Sequence, residues 1–260
     1  MNTLQAIILG LVQGLTEFLP VSSSGHLQLA GAILGTDIEA GQTLAFDLTL
    51  HAATVLSTLV VLHRPIVQIL RGLAARPLNA EQSYALKIII SMIPVGIVGF
   101  CLMDYIEAAF SSTAFVGAML LLTAALLTFA GRVRQRGKEE ISYRDAFIIG
   151  IAQACAALPG LSRSGSTIAA GLLLGNRKES VAQFSFLMVL PPILGNALID
   201  IIKGDFGGGI DLVPAAAGFI AAFVSGCLAC RFMIETVKRG KLVWFAVYCA
   251  AAGTLALVLA

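Results

Sequence analysis

Two polar segments in an otherwise apolar chain hold the residues that could do chemistry. The first runs from Gln13 to His26, and the second runs from Pro159 to Thr167. In the first segment, Gln13 and Glu17 are one helical turn apart, which places both side chains on the same face of a helix. Together the segments supply a carboxylate, a histidine, a fixed cation and several hydroxyls beside glycine-containing turns. Backbone N–H groups at such turns and an arginine fork favour an anion, so we predict that the ligand is a phosphate.

The composition places these segments in a membrane protein. Hydrophobic residues make up 58% of the 260 residues, charged residues make up 12%, and the mean hydropathy is +0.90. A soluble globule needs a more polar surface, so the expected solvent is lipid. The net charge of +2 is too small for a nucleic-acid footprint, and no nucleic-acid partner is expected. The start Met1-Asn2-Thr3 lacks the basic region of a cleaved signal peptide.

Ten apolar helical segments are predicted when the chain is divided at charges, prolines and glycine clusters. Short helices joined by polar turns are typical of re-entrant hairpins, which are tolerated at membrane depth when they are buried in protein. The predicted fold is therefore an all-α polytopic membrane protein with six transmembrane helices and two re-entrant helix hairpins. Six segments are long enough to span a bilayer, namely 42–63, 84–103, 112–131, 181–203, 212–235 and 242–260. Four are too short, namely 4–19, 24–35, 146–158 and 164–174.

The loop charges separate onto two sides of the membrane. One side is acidic and carries Asp37, Glu39, Asp104, Glu107, Asp205 and Asp211, with Lys203 nearby. The other side is basic and carries Arg64, Arg71, Arg76, Arg132, Arg134, Arg136, Lys138, Arg144, Arg177, Lys178, Lys238, Arg239 and Lys241. The positive-inside rule puts the basic side in the cytoplasm and both termini outside. The same two sides follow if each short pair crosses the membrane twice, so only length argues for re-entrance.

An internal repeat emerges when the chain is shifted against itself by about 140 residues. Gly10-Leu-Val-Gln13 falls on Gly150-Ile-Ala-Gln153, and Ser22-Ser-Ser-Gly25 falls on Ser162-Arg-Ser-Gly165. The intervening chain holds three predicted spans, an odd number, so the two copies enter the membrane from opposite faces. We therefore predict one integral membrane domain, 1–260, built from inverted repeats over about 1–131 and 144–260. Such repeats typically bring two broken helices together near the midplane, facing one ligand.

Glu17, His26 and Arg163 are the strongest functional candidates. An ionisable group at membrane depth costs several kcal/mol unless it is paired or functional, and all three fall in the two matched segments. Close helix packing explains Ser24, Ser164 and Ser166 equally well. Gln13 also fits a role in helix-to-helix hydrogen bonding, and Asp47 with His51 stays open between a polar patch and a cavity lining. The five cysteines lie in apolar runs, and the Cys227–Cys230 spacing lacks the partners of a metal or redox site.

The two segments resemble the signatures of the bacterial undecaprenyl-pyrophosphate phosphatases, also called bacitracin-resistance proteins. The first signature has Glu or Gln, three residues and Glu, followed by Phe-Leu-Pro-Val-Ser-Ser and Gly-His, and it is matched by Gln13 through His26. The second, Pro-Gly-x-Ser-Arg-Ser-x-x-Thr, is matched by Pro159 through Thr167. The resemblance covers essentially the whole chain. It departs at position 13, where many members have Glu, and this weakens a metal site built from two carboxylates.

The resemblance implies hydrolysis of a C55 polyprenyl pyrophosphate to the monophosphate and inorganic phosphate, which recycles the lipid carrier of peptidoglycan synthesis and confers bacitracin resistance. It implies Ser23 as the nucleophile or a phosphate-positioning hydroxyl, with His26 as general acid and base. Glu17 then orients His26, acts as the base, or holds a divalent cation, and Arg163 clamps the pyrophosphate. The predicted substrate-binding residues are Gln13, Ser22, Ser24, Gly25, Ser162, Ser164 and Thr167.

The resemblance also implies the surroundings of the reaction. Mg²⁺ or Ca²⁺ is expected, held by Glu17 and mostly by the substrate phosphates. The expected partners are a long-chain polyprenyl pyrophosphate and the bilayer, and the resemblance allows a homodimer. The expected location is the bacterial inner (plasma) membrane, with the active site opening to the outer face.

Two other classes of protein are weighed against this hydrolase. A transporter or flippase for polyprenyl phosphate shares the inverted-repeat architecture, but it has less need of Glu17 and His26 beside Ser23. A membrane scaffold would not require paired polar turns in lipid, and it should tolerate Arg163→Ala.

Overall fold

The structure, a computed structural model, is built from helices. It describes residues 1–36, 40–75, 79–102, 112–133, 138–195 and 211–258, and the side chains of these residues except 40–44. Within these ranges the numbered helices are α1 Thr3–Phe18, α2 Ser23–Ile33, α3 Ala40–Val61, α4 His63–Leu73, α5 Ala80–Cys101, α6 Thr113–Arg132, α7 Tyr143–Cys155, α8 Arg163–Leu173, α9 Lys178–Leu187, α10 Leu212–Arg239 and α11 Val243–Val258, and 190–195 are also helical. The predicted all-α class is confirmed.

Polar side chains mark where several of the helices begin. Asn2 and Asn79 accept the backbone N–H three residues on and form reciprocal capping boxes at α1 and α5. Ser112 and Ser142 also accept the backbone N–H three residues on, at the starts of α6 and α7, but without a reciprocal bond. Each cap satisfies a backbone donor that the first helical turn leaves unpaired. At the other end of α10, Gly240 adopts the left-handed conformation that ends a helix.

Three of the described helices, α5, α6 and α10, are long and apolar enough to cross a membrane. They coincide with the predicted spans 84–103, 112–131 and 212–235. The predicted span 42–63 corresponds to α3, which is bent by 78° from the helix α4 that follows it. The predicted span 242–260 corresponds to α11, an apolar helix of 16 residues, and 259–260 lie outside the described residues. The chain is therefore an all-helical membrane protein.

The predicted span 181–203 is interrupted in the structure. Helix α9 gives way to a turn at 188–189 before the chain becomes helical again. Leu190 begins the next helical stretch, and Pro191 and Pro192 are its second and third residues. Proline has no backbone N–H, so a continuous helix would lose two hydrogen bonds here, whereas the first turn of a new helix needs no donor at these positions. The prediction of one continuous helix is therefore wrong at this break, and 196–203 lie outside the described residues.

Helix α4 was not predicted, because its charged residues indicated a loop. Arg64 and Arg71 lie on this helix, while Ile66 and Ile69 of the same helix pack against the hydrophobic core. Alternation at helical spacing makes α4 amphipathic. The charges that ended the apolar run therefore continue the chain as a surface helix.

The four predicted short helices are confirmed as α1, α2, α7 and α8. A turn over 19–22 joins α1 to α2, and a turn over 156–162 joins α7 to α8. We call the first of these turns, with the helix ends beside it (17–26), the first turn, and the second with its helix ends (156–167) the second turn. They contain most of the residues that the sequence marked as functional.

Close packing of small residues positions the first helix of each pair against a long helix. Gly10 of α1 faces the Gly218 carbonyl of α10, and Gly150 of α7 faces the Ser91 carbonyl of α5. A side chain at either glycine would overlap that carbonyl. Glycine is required here because helices in lipid associate mainly through such close contacts.

A large apolar core lies directly beneath the two turns. Phe18 at the end of α1 packs edge-to-face on Phe186 of α9, with ring centroids 5.8 Å apart. Ile168 of α8 and Met233 of α10 are fully buried in the same cluster. This core fixes the end of α1 and the start of α8 relative to each other.

Several of the loop charges are outside the described residues. The described charges include Arg64 and Arg71 of α4 and Asp211 before α10. Those outside are Asp37, Glu39, Asp104, Glu107, Lys203 and Asp205 from the acidic set, and Arg76, Arg134 and Arg136 from the basic set.

Candidate active site

Glu17 lies at the centre of the site, in the last turn of α1. Its side chain is buried, with 7% of the residue exposed. One carboxylate oxygen accepts hydrogen bonds from Gln13 Nε2 at 3.0 Å and from Ser23 Oγ at 2.8 Å. The other accepts a hydrogen bond from Arg163 Nη2. The predicted residues of both polar segments thus converge on one carboxylate.

The Glu17–Arg163 ion pair joins the two turns. Arg163 is the first residue of α8, and about a quarter of its side chain is exposed. Removing one partner of a buried pair leaves an uncompensated charge, which is strongly destabilising. The guanidinium also has donors in excess of one carboxylate oxygen. Arg163 can therefore stabilise the resting site and still bind an incoming anion.

The first turn leaves the start of α2 open. Ser22 has a φ of +70°, which L-residues rarely adopt, and it makes no side-chain cap to α2. Its Oγ lies 3.5 Å from Ser24 Oγ. The first N–H groups of a helix carry a partial positive charge and bind anions when no cap occupies them. Ser24 and Gly25 lie within this first turn of α2, as a phosphate site requires.

The second turn is closed by its own side chains. Ser162 Oγ accepts the Gly165 N–H at 3.2 Å and so caps α8. Ser164 Oγ donates to the Leu19 carbonyl of the first turn at 3.1 Å. Thr167 Oγ1 donates to the Arg163 carbonyl at 3.0 Å and lies against the Ser185 hydroxyl of α9. These hydroxyls, predicted to bind substrate, serve in this structure to hold the turn.

His26 lies one helical turn into α2 and bonds two groups other than Ser23. Its Nδ1 lies 2.9 Å from the Ser22 carbonyl oxygen, and its Nε2 is hydrogen bonded to the Tyr248 hydroxyl of α11. Ser23 Oγ donates to Glu17 instead. The structure brings Ser23 to a carboxylate rather than to the imidazole, and the role of His26 stays a prediction.

Thr123 of α6 supports the second turn and was missed by the sequence analysis. Its buried Oγ1 accepts the Ser162 N–H at 3.1 Å and donates to the Met119 carbonyl at 3.0 Å. Gly160 adopts a φ of +88° with no room for a side chain against the Val116 backbone. No sequence signal distinguishes Thr123, because hydroxyls in apolar helices commonly bond their own backbone.

A small cavity lies beside the ion pair, between α1, α3, α8 and α9. Glu17, Arg163 and Thr167 line it together with three hydroxyls that sequence reasoning did not select, Thr54, Thr58 and Ser185. Thr54 and Thr58 are one helical turn apart on α3, a weak signal that could have found them. The apolar walls include Phe18 and Phe186.

The site offers few ligands for a metal ion. Among the described residues, there is no group of three or more His, Cys, Asp or Glu side chains that could hold one. Gln13 is fully buried, and its Oε1 has no hydrogen-bond partner in the structure. This oxygen and the Glu17 carboxylate are hard oxygen donors of the kind that Mg²⁺ and Ca²⁺ prefer. The residues fit a divalent ion that takes its remaining ligands from elsewhere.

The fold and the site define an integral membrane protein in which two helix turns build one buried polar centre from a carboxylate, a guanidinium and hydroxyls. Residues 6–255 match the family described as bacitracin resistance protein BacA. The chain belongs to this family, as its two signatures indicated.

Relatives from several organisms carry one name. The chain is 59% identical to the undecaprenyl-diphosphatase of Parabacteroides distasonis, over 97% of this chain and 96% of that protein. It is 58% identical to the undecaprenyl-diphosphatase of Bacteroides fragilis, over 99% of this chain and 98% of that protein. It is 40% identical to the undecaprenyl-diphosphatase of Methanosphaera stadtmanae, over 100% of this chain and 98% of that protein.

Proposed function

We propose that the chain is an undecaprenyl diphosphatase, which converts undecaprenyl pyrophosphate to undecaprenyl phosphate and inorganic phosphate. The names of its full-length relatives support this activity. The observation that carries it is the meeting of Ser23 and Arg163 on the buried Glu17 carboxylate. Phosphoryl transfer requires a positioned nucleophile and stabilisation of the negative charge on the transferred phosphoryl group, and this arrangement supplies both. The product re-enters use as the lipid carrier of cell-wall synthesis.

Substrate binding exchanges one anion for another on Arg163. In the resting site the guanidinium neutralises Glu17. The terminal phosphate of the substrate carries more charge than one carboxylate oxygen and matches the arginine fork. As Arg163 turns to the phosphate, the uncapped start of α2 binds further phosphate oxygens, and Glu17 becomes free to accept a proton.

The hydroxyl of Ser23 is then in place to react. Its Oγ attacks the terminal phosphorus, the bridging P–O bond breaks, undecaprenyl phosphate leaves, and the hydroxyl proton passes to Glu17. Water next attacks the phosphoserine and gives a proton to His26, the Oγ–P bond breaks, and Ser23 regains its proton from Glu17 as inorganic phosphate leaves. His26 then returns its proton to the departing phosphate or to solvent, which restores the starting state. The 2.8 Å Ser23–Glu17 hydrogen bond supports the first proton transfer. A role for Ser23 in positioning phosphate alone would assign the attack to water.

A divalent cation is proposed to assist at Gln13 and Glu17. The unpartnered Gln13 Oε1 and the Glu17 carboxylate would hold it, with substrate phosphate oxygens completing the coordination. When bound, it would neutralise charge on the pyrophosphate.

The fold is proposed to be an inverted repeat with six spans and two re-entrant hairpins. The equivalent positions Gly10 and Gly150 each contact a long helix of the opposite half. Gly117 of α6 and Gly253 of α11 each face the carbonyl of the other, as a twofold axis would require. With the basic loops in the cytoplasm, both termini would lie outside the inner membrane. An active site that opens to the outer face is proposed from the family resemblance alone.

The experiment that tests the function is phosphate release from a long-chain polyprenyl pyrophosphate by the purified protein in detergent. Wild type is compared with Ser23→Ala and Arg163→Ala, each with Mg²⁺, with Ca²⁺ and with EDTA. We expect turnover in wild type, loss in both variants and a lower rate in EDTA. No phosphate release from folded wild type would exclude the hydrolase.

A flippase of polyprenyl phosphate is the second candidate, supported by the paired contacts of Gly10 and Gly150 across the two halves. It predicts movement of the lipid across reconstituted vesicles without phosphate release. Movement that survives Ser23→Ala and stops with Arg163→Ala would favour transport, because binding an anion needs the guanidinium and does not need the nucleophile.

A further inference from the structure

Tyr248 of α11 contacts the active-site histidine from the far end of the chain. The two rings are stacked, with centroids 5.6 Å apart and planes 23° from parallel. The Tyr248 hydroxyl also bonds His26 Nε2. The residues are 222 positions apart, so nothing in either polar segment points to this partner.

The two hydrogen bonds of His26 define its tautomer. A carbonyl oxygen can only accept, so Nδ1, which lies 2.9 Å from the Ser22 oxygen, carries the proton of the neutral ring. Nε2 is then the acceptor of a hydrogen bond that the Tyr248 hydroxyl donates. Nε2 is also the nitrogen that takes up a proton when His26 acts as a base. Tyr248 thus bonds the nitrogen that matters for proton transfer.

A phenol suits this place in both states of the histidine. Its hydroxyl donates to Nε2 of the neutral ring, and its oxygen accepts from Nε2–H after protonation. Phenylalanine would keep the stacked ring and lose both bonds. Leucine would lose the stacking as well.

Helix α11 holds Tyr248 rigidly over the first turn. The adjacent residue, Cys249, is fully buried, and its Sγ donates to the Pro20 carbonyl at 3.3 Å. Five residues after Tyr248, Gly253 packs closely on Gly117 of α6. Cys249 therefore holds the turn before α2, and its neighbour Tyr248 holds His26 in α2. A tyrosine that merely faced lipid would have no such pair of contacts.

We propose that Tyr248 is a positioning residue that fixes the ring plane and the Nδ1–H tautomer of His26. The proposal rests on His26 acting as the acid–base group in the proposed hydrolysis. Tyr248 is absent from the lining of the cavity beside Arg163, so it should affect turnover and not the binding of the phosphates.

The kinetic test compares Tyr248→Phe and Tyr248→Leu with Trp244→Phe in the full-length protein. Trp244 is an aromatic residue on the same helix, 72% exposed, and provides the matched control. We expect kcat to fall about tenfold in Tyr248→Phe and further in Tyr248→Leu, with KM within about twofold of wild type, because acid–base catalysis depends on alignment. Trp244→Phe should retain wild-type kinetics. Wild-type kcat in Tyr248→Phe would overturn the proposal.

A chemical test does not depend on turnover. Diethyl pyrocarbonate acylates unprotonated imidazole nitrogens, and mass spectrometry can follow each histidine separately. His51 and His63 also place Nδ1 on a backbone carbonyl, at 2.9 and 2.8 Å, and serve as internal references. Tyr248→Phe should raise the rate at His26 severalfold and leave the reference rates unchanged.

The two tests separate the possible failures. Unchanged His26 reactivity in Tyr248→Phe overturns the positioning role even if kcat falls. If wild type has no phosphatase activity but His26 still reacts faster in Tyr248→Phe, the Tyr248–His26 contact is supported. The proposed hydrolase activity is then overturned instead. Size-exclusion profiles and melting temperatures matching wild type establish that each variant is folded.

Discussion

The two turns are equivalent in the sequence and different in the structure. The first turn leads into α2, which has no buried residue and no side-chain cap. The second turn leads into α8, which has eight buried residues and a Ser162 cap. Position 17 is Glu, whereas the position about 140 residues later is Ala157. The first turn therefore presents free donors and a carboxylate, while the second is a buried support that presents one guanidinium.

This division separates reactivity from rigidity. Backbone N–H groups can bind a ligand only when the fold does not already use them, and the Ser23 hydroxyl donates to Glu17, the proposed base, rather than capping a helix. The second turn uses its hydroxyls in capping and in bonds to the first turn, so Arg163 is held in place by bonds that need no ligand. A repeat can become an asymmetric site when one copy retains its reactive groups and the other satisfies its own.

Arg163→Ala should give the largest loss. It removes the only charged group that the second turn contributes to the described site and leaves Glu17 buried without its partner. We expect kcat to fall by about 10²-fold or more, the scale of losing an oxyanion-type stabiliser. Arg163→Lys should recover part of this loss, because it restores the charge and lacks the fork. Arg239→Ala, at an exposed helix end, is the control in the phosphate-release assay.

Glu17→Gln should separate catalysis from binding. The carboxylate competes with phosphate for Arg163 in the resting site. Without it, kcat should fall by about 10²-fold, while inorganic pyrophosphate should inhibit at lower concentration than in wild type. Inhibition constants measured for both proteins test this. Weaker inhibition of the variant would contradict the exchange of anions on Arg163.

Ser23→Ala and Ser162→Ala should affect different properties. Ser23 caps no helix, and its hydrogen bond is to Glu17, which keeps Gln13 and Arg163 as partners, so its loss should lower kcat by about 10²-fold with a smaller change in melting temperature than Ser162→Ala. Ser162 caps α8, so its loss should lower the free energy of unfolding by about 1 kcal/mol and reduce kcat less. Thermal unfolding and phosphate release on the same samples distinguish the two. The reverse pattern would assign the reactive hydroxyl to the second turn.

Gln13→Glu should give the smallest effect. It places a second carboxylate beside Glu17, where Gln13 now donates a hydrogen bond at 3.0 Å. A second acidic oxygen should lower the half-saturating Mg²⁺ concentration severalfold with kcat within about threefold of wild type. A metal titration of the reaction measures both quantities. An unchanged Mg²⁺ requirement would place the cation on the substrate alone.

Sequence patterns predicted the positions of most helices. Apolar run lengths located α3, α5, α6, α10 and α11, and the polar turns located the four short helices. The wrong helix predictions lie where one local sequence pattern was compatible with two structures. Charge along α4 resembled a loop and proved to be the polar face of a helix, while the apolar run over 181–203 concealed the break before Pro191.

The sequence predicted which residues belong to the candidate site, but it did not predict which of them contact one another. Glu17, Ser23 and Arg163 were selected, and the structure brings them together. The predicted pairing of Ser23 with His26 is not formed, because Ser23 donates to Glu17 and His26 bonds Ser22 and Tyr248. The roles of the site residues, the divalent cation and the homodimer stay predictions.

Sequence alone determined the chemistry available to this protein, because residue types and their spacing specify which charges, hydroxyls and turns exist in lipid. Tertiary structure decided which of these groups are free to react. Thr123, Cys249 and Tyr248 lie in apolar helices far along the chain from the turns they hold. Their partners depend on how the helices pack, and periodicity along one helix carries no information about its neighbours.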